Sequence, residues 1–388
     1  MEKISKVNSN NNMIIALAIS NILFFLYSLD YSYSITNDNN EIQDEEFDYI
    51  FDPSEYIYSE ETIEENDNSD SEKNHNNVLT SVNKEEQNNN DDNSYNNNIL
   101  THNSEDNNTN YNFVAAGDWY CNEETKKTIN NILDLHPELI ITTGDHVKES
   151  PSAACWIQMS KPIKDKMKIA IGNHDAEFAN IYKQIVDYHH LKTPFYSHNF
   201  KNIHFISMST EHPFATGSIQ YEFIKSDLEK SLNNHNIDWI IIHQHKPLYS
   251  TLQDKKEAEE LRDTYQQLFQ HYDVDLVISS HNQYYERTYP LLYNEDFEKI
   301  TNKNVEPKPI IAVNNTSEYP PTNGIVFLTV GTAGDKLNTV KEKPNFYVIQ
   351  ESKFGFLNVN IENKGNTLVG EFYSNDGNII DQFRLNKT

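Results

Sequence analysis

Thiols are nearly missing from this chain: of 388 residues, only Cys121 and Cys155 carry one. Two thiols cannot build a four-ligand structural zinc cluster by themselves. Positive charge is scarce as well, with 31 Lys and Arg against 59 Asp and Glu and a formal net charge of -28. A nucleic-acid backbone needs a basic face to neutralise its phosphates, and no such face can be traced here, which argues against nucleic acid as a partner. There is no internal repeat. Long apolar runs are confined to one place, the uncharged stretch MIIALAISNILFFLYSL from Met13 to Leu29.

That stretch follows Lys3 and Lys6 and has the pattern of an export signal or a single membrane anchor. Its length is near the lower limit for spanning a bilayer, and "DYSYS" after it is a fair cleavage site, so released and tethered forms both stay open. Residues 1–35 are therefore expected to direct the protein outward, to the extracellular side or the outer face of the cell membrane. From Thr36 to Asn110 there are 21 Asp and Glu against two Lys, in a setting rich in Asn and poor in Val, Leu and Phe. Such a segment cannot bury enough apolar surface to offset its ordering entropy, so residues 36–110 are expected to form a disordered acidic spacer. Export would allow Cys121 and Cys155 to form a disulfide, with two separate buried thiols as the other possibility.

Residues 111–388 change character. Apolar runs of four to eight residues alternate with longer amphipathic stretches, the pattern of a layered α/β (α+β) domain. The expected strands are Phe113–Asp118, Leu139–Asp145, Lys168–His174, Ile203–Thr210, Trp239–His245 and Asp275–His281; the expected helices are Glu123–Leu135, Glu177–His189, Ile219–Asn233 and Glu257–Tyr272. After Pro290 the helical patterns stop. GIVFLTVGT, FGFLNVNIEN and TLVGEFYSNDG then predict a closing set of antiparallel strands that completes a second sheet.

Five of these strands end in polar residues of one chemical kind: Asp118, Asp145, Asn173 with His174, His245 and His281. Ligands bind open α/β sheets at the carboxyl ends of strands, where donors gather from distant parts of the chain. Carboxylate, amide oxygen and imidazole together suit a divalent metal such as zinc, manganese or iron. A lone Gly-Asp turn or strand-end histidine signals nothing; five in sequence predict a metal site. His189, His190, His198, His204, His212, His235 and His271 lie away from these positions and are expected at the surface or in packing.

In that order and spacing, "GDWYC", "GDHVKE", "GNHD", "HKPLY" and "SHNQYYERTYP" resemble the calcineurin-like metallophosphoesterases, most closely the purple acid phosphatase branch. That branch carries GDxG, GDxxY, GNH, HxPxY and GHxH followed by an aromatic residue and ERTYP. "GSIQYEFIKSDLEKSL" is similar to its GSxQYxW helix, and the resemblance covers Phe113 to Asp381. It implies a four-layer αββα sandwich and two adjacent metal positions bridged by Asp145. Asp145, Asn173, His245 and His281 would hold the second ion. The first would take Asp118 and Asp145 with a Tyr and a His, but Lys148 and Gln283 stand at those two positions. His174 would contact phosphate and leaving group as general acid, with Asp175 orienting its ring.

The two departures have physical consequences. Without the phenolate, neither charge-transfer colour nor stable trivalent iron is expected. An ammonium has three donors and no acceptor, and holding it about 4 Å from a metal ion costs several kcal/mol even at an effective dielectric near 20. The expectation is that Lys148 replaces the first ion by pairing with Asp118 and Asp145, while the Gln283 amide bonds to a carboxylate or to phosphate. In the competing arrangement, His146 or His243 enters as a substitute ligand. "STLQDKKEAEE" carries none of the extra phosphate-binding histidines of the family. The expected function is an exported metal-dependent phosphoesterase that hydrolyses small phosphomonoesters by metal-activated water, with one divalent ion or an irregular pair. Its alternative is a non-catalytic surface binding module that keeps the fold. Asn107, Asn314 and Asn315 stand in sequence contexts that accept sugar.

Overall fold

The computed structural model describes residues 110–148, 150–251, 255–295, 308–340 and 343–387. The expected export segment and the acidic spacer up to residue 109 lie outside them. The strands and helices follow the chain as β1 (Tyr111–Ala116), α1 (Glu123–Asp134), β2 (Leu139–Thr142), α2 (Ala154–Ser160), β3 (Met167–Ile169), α3 (Asn173–Ala176) and α4 (Ala179–His189). Next come β4 (Tyr196–Phe200), β5 (Ile203–Ser207), α5 (Ile219–Leu232), β6 (Trp239–His243), α6 (Lys255–His271), β7 (Leu276–Ser279), β8 (Tyr285–Thr288) and the short pair β9 (Leu291–Leu292) and β10 (Ile310–Ile311). The chain closes with β11 (Glu318–Tyr319), β12 (Val326–Val330), β13 (Tyr347–Glu351), β14 (Gly355–Glu362), β15 (Thr367–Ser374) and β16 (Ile379–Asn386).

Two seven-stranded sheets result, in the orders β11-β16-β15-β14-β1-β2-β3 and β13-β8-β12-β7-β6-β5-β4. Alternation along each strand divides its side chains between two faces. Phe113, Ala115, Ile141, Phe205, Trp239, Ile241, Ile278 and Leu328 fill the space between the sheets. Val114, Ala116 and Ile140 face the other way, onto Ile129 and Ile132 of α1, Trp156 of α2 and Ile181 and Ile185 of α4. On the far side, Ile206, Ile240 and Ile242 pack under Ile224 and Leu228 of α5 and Leu261, Tyr265 and Phe269 of α6. The layers are helix, sheet, sheet and helix, as the resemblance implied. Local signals set the helix ends: the Asn122 side chain accepts from the Thr125 N–H at the start of α1, and the Ser218 side chain accepts from the Tyr221 N–H at the start of α5.

The closing strands depart from expectation. β14, β15 and β16 extend the first sheet, with β14 antiparallel to β1, whereas β12 enters the second sheet parallel to β7. Their alternating pattern identifies them as strands, but pairing partners far apart in sequence are invisible to it. The stretch expected as one strand, Lys168–His174, ends early at Ile169, and Asn173 opens the helical turn α3 instead. Cys121 and Cys155 form a disulfide with a Cα–Cα distance of 6.2 Å. It staples the loop after β1 to α2, beside the packed pair Trp119 and Trp156. Among the described residues, no helix is long and apolar enough to cross a membrane.

Candidate metal centre

The five predicted residues leave their strands at one end of the sandwich, Asp118, Asp145 and Asn173 from the first sheet and His245 and His281 from the second. Sharp turns bring them inward. Asp118, Asp145 and His281 have φ of 57°, 52° and 68°, a left-handed backbone unusual for residues with a side chain and concentrated at functional sites. The turns also need glycine beside them: a Cβ on Gly172 would stand 2.2 Å from Asp145 Oδ1, and Gly144 has φ of +94°.

His245 is fully buried and organises the cluster. Its Nδ1 lies 2.8 Å from the Thr143 carbonyl and 3.1 Å from Ser280 Oγ, which makes Nδ1 a donor and turns Nε2 inward. Around that Nε2 stand Asn173 Oδ1 at 3.0 Å, His281 Nδ1 at 3.2 Å and Asp145 Oδ1 at 3.3 Å. Ligand atoms of Asp145, His245 and His281 all fall within 4.8 Å of one another. Four such groups converging on one point repel unless a proton on Nε2 or a metal ion lies among them. The electrostatics say the same: burial opposes charge on His245, yet Asp145 and then Asp118 draw the imidazole up to about 10. Asp145 is held below the usual carboxylate range against its own burial, chiefly by the His245 charge. This donor set of two oxygens and two nitrogens fits a divalent zinc, manganese or iron ion.

The other half of the centre is different. Asp118 is fully buried; its Oδ2 accepts from the His281 N–H at 2.6 Å, while its Oδ1 has no hydrogen-bond partner. Burial, aided by Asp145 and Asp335, pushes its carboxyl up to about 7. Contrary to the expectation that it pairs with Asp118 and Asp145, Lys148 turns to another carboxylate. Its Nζ donates to Asp335 Oδ2 at 2.6 Å, and the two expected partners act on it only through space. The Gln283 amide oxygen accepts from Asn338 Nδ2 at 3.0 Å rather than serving a carboxylate. Neither substitute ligand enters: the His146 ring is spent on Asp175 Oδ2 at 2.8 Å and Thr142 Oγ1 at 2.6 Å, and His243 is buried against Phe205, neutral because burial lowers it to about 3. The donors present do not fit a second ion in the form the family uses.

Asp175 also departs from its expected role. Its Oδ1 accepts from the N–H groups of His146 and Val147, and its Oδ2 from the Gly172 N–H and lies against His146 Nδ1. A carboxylate so occupied ties the Gly144–Val147 turn to α3 and leaves nothing for His174. The His174 ring meets Glu177 instead, Nδ1 to Oε2 at 3.1 Å, while its backbone N–H holds Asp145 Oδ1 at 2.9 Å. Lys246, in the "HKPLY" motif, pairs with Glu211 at 3.1 Å and Glu257 at 2.7 Å on the wall of a shallow cleft that His281 also lines. The residues missed from sequence were Asp335, Asn338, Glu177 and Lys246. One signal for Asp335 was available: "GTAGD" places a Gly-Asp pair after β12, as "GD" follows β1 and β2.

Strand-end Asp, Asn and His gathered from two facing sheets form a donor cluster that could hold a metal ion. The family model for calcineurin-like phosphoesterase matches residues 111–285, and purple acid phosphatases are among the curated relatives to which the chain is similar. One curated relative is a probable inactive purple acid phosphatase 1 of Arabidopsis thaliana, 28% identical over 200 residues, covering 50% of this chain and 30% of its own. Another is a nucleotide pyrophosphatase/phosphodiesterase of Hordeum vulgare, 26% identical over 185 residues, 46% of each chain. The chain thus spans between about a third and a half of the length of these relatives. Among solved structures, the purple acid phosphatase PPD1 of yellow lupin has the same fold, with a TM-score of 0.58 at 20% identity over 71% of this chain and 54% of that one.

Proposed function

We propose that this chain is an exported, metal-dependent phosphoesterase that hydrolyses small phosphomonoesters. One observation carries the reading: Asn173, Asp145 and His281 each place a ligand atom within 3.3 Å of the His245 Nε2, on a ring already oriented by Thr143. Asp145, Asn173, His245 and His281 would hold a divalent ion, which would supply Lewis acidity there. The chain's own residues do the rest. The His174 N–H keeps Asp145 Oδ1 in place, and Glu177 turns the ring of a partly exposed His174 so that its Nε2 can pass a proton to the departing oxygen. Export is supported by the Met13–Leu29 pattern and by the Cys121–Cys155 disulfide, which persists in oxidising surroundings.

The test combines metal content of the purified protein with hydrolysis of an aryl phosphate, before and after His245→Ala. Loss of both on substitution is expected; hydrolysis that survives His245→Ala would overturn the site. Lys148 and Gln283 favour a second reading, a surface module that binds phosphate without turning it over. Metal-loaded protein that binds inorganic phosphate and hydrolyses nothing would select it. For export, surface biotinylation of intact cells is expected to label the chain, and strictly cytosolic recovery would refute it.

A further inference from the structure

Lys148 and Gln283 stand 135 residues apart in sequence, and each finds its partner in one short loop, residues 331–338 after β12. Asp335 Oδ2 accepts from Lys148 at 2.6 Å, and its Oδ1 accepts from the Lys336 N–H at 2.7 Å, so that carboxylate is fully used. Asn338 donates through Nδ2 to Gln283 Oε1 and to the Asn282 carbonyl, both at 3.0 Å, and its N–H donates to the Gln283 carbonyl at 2.9 Å. The loop is also fastened to the centre itself, since the Asp335 N–H donates to the Asp118 carbonyl at 2.9 Å. Both altered positions are thus matched by partners from this loop, and Asp335 is only 6% exposed.

We propose that the 331–338 loop closes the first metal position, with Asp335 holding the Lys148 ammonium and Asn338 holding Gln283. The protein therefore carries one divalent ion and provides the second positive charge from its own chain. The inference rests on the metal centre proposed above and deepens it. Asp335 and Asn338 are positioning residues. An ammonium beside Asp118 and Asp145 repels a second ion, and the neutral Gln283 amide offers that ion no strong ligand.

The experiment is metal stoichiometry, read by mass spectrometry after equilibration with Zn2+ or Mn2+, on the full chain and on Lys148→Met, Lys148→Met with Asp335→Asn, and Lys148→Tyr with Gln283→His. One ion per chain is expected for the native protein. Lys148→Met frees the Asp335 carboxylate and removes the positive charge that acts on Asp118 and Asp145, and should take up a second ion; adding Asp335→Asn should return the count to one, a dependence that a merely structural Asp335 would not produce. Lys148→Tyr with Gln283→His should hold two even if Lys148→Met fails to fold. Two ions in the native protein, or one in every folded variant, would overturn the proposal. No ion in the native protein, with no hydrolysis, would remove the metal-centre reading along with it.

Discussion

Two buried aspartates show how differently one fold can treat the same charge. Asp381 lies between the sheets with both oxygens partnered: Arg287 Nε at 2.6 Å and the Tyr285 hydroxyl at 2.7 Å on Oδ2, and Arg287 Nη2 at 2.7 Å on Oδ1. Arg287 is completed by the Tyr319 hydroxyl and the Thr316 carbonyl. Asp118 is equally buried but keeps one oxygen unpartnered, at the end of the sandwich where the donors of His245 and His281 gather. A closed network of this kind serves uniqueness of the fold, because each member is costly to remove. An open one carries a standing demand for positive charge, and that demand is what binding can use.

The widest separation between the two regions comes from His245→Ala. It should lower aryl phosphate hydrolysis by about three orders of magnitude, equivalent to roughly 4 kcal/mol of transition-state stabilisation, while leaving the thermal midpoint of metal-free protein little changed. Breaking the closed cluster should do the reverse. Asp381→Asn leaves a buried guanidinium without its counter-charge and is expected to cost about 3–5 kcal/mol in urea unfolding, with kcat per folded molecule preserved. Equal loss of activity in both variants would erase the distinction.

Removing the Cys121–Cys155 link, which closes a sequence separation of 34 residues, should cost roughly 2–4 kcal/mol, measured by chemical unfolding of the double Ser variant. Its loop leads out of Asp118, so metal affinity should weaken more than it does in Asp381→Asn. The smallest effect concerns Glu286, adjacent to Arg287 on β8 but facing the opposite way. Burial pushes its carboxyl up to about 7 from 4.5, although Gln350, Thr329 and Tyr347 all donate to it. The folded state then keeps a proton that the unfolded chain has released, so this contribution is present below pH 4.5 and is lost as pH rises through about 7. Glu286→Gln should flatten the decline in urea midpoint across that window; an unchanged slope would assign it elsewhere.

Legibility from sequence followed the same division between local and distant information. Asp118, Asp145, Asn173, His245 and His281 were readable because each ends an apolar run, and for the first three the turn is written in the preceding glycine. Their convergence followed from the common end of parallel strands. Asp335 and Asn338 were not readable as partners, because β12 sits between β7 and β8 in the sheet and brings its loop to the site through pairings 41 to 50 residues away. Asp175 was misassigned for a related reason: adjacency to His174 suggested contact, whereas the first turn of α3 points the two side chains apart. Nothing in a linear pattern tells which sheet β14 to β16 will join.

The gathering of donors from both halves of the sandwich has a mechanical meaning. Asp145 and Asn173 belong to one sheet and His245 and His281 to the other, so an ion seated among them is a rivet through the seam. Pulling it out should let the two sheets part more easily at that end, first visible as faster amide exchange in β6 and β7. Supplying it at a hundred times its dissociation constant should raise overall stability by about 2.7 kcal/mol.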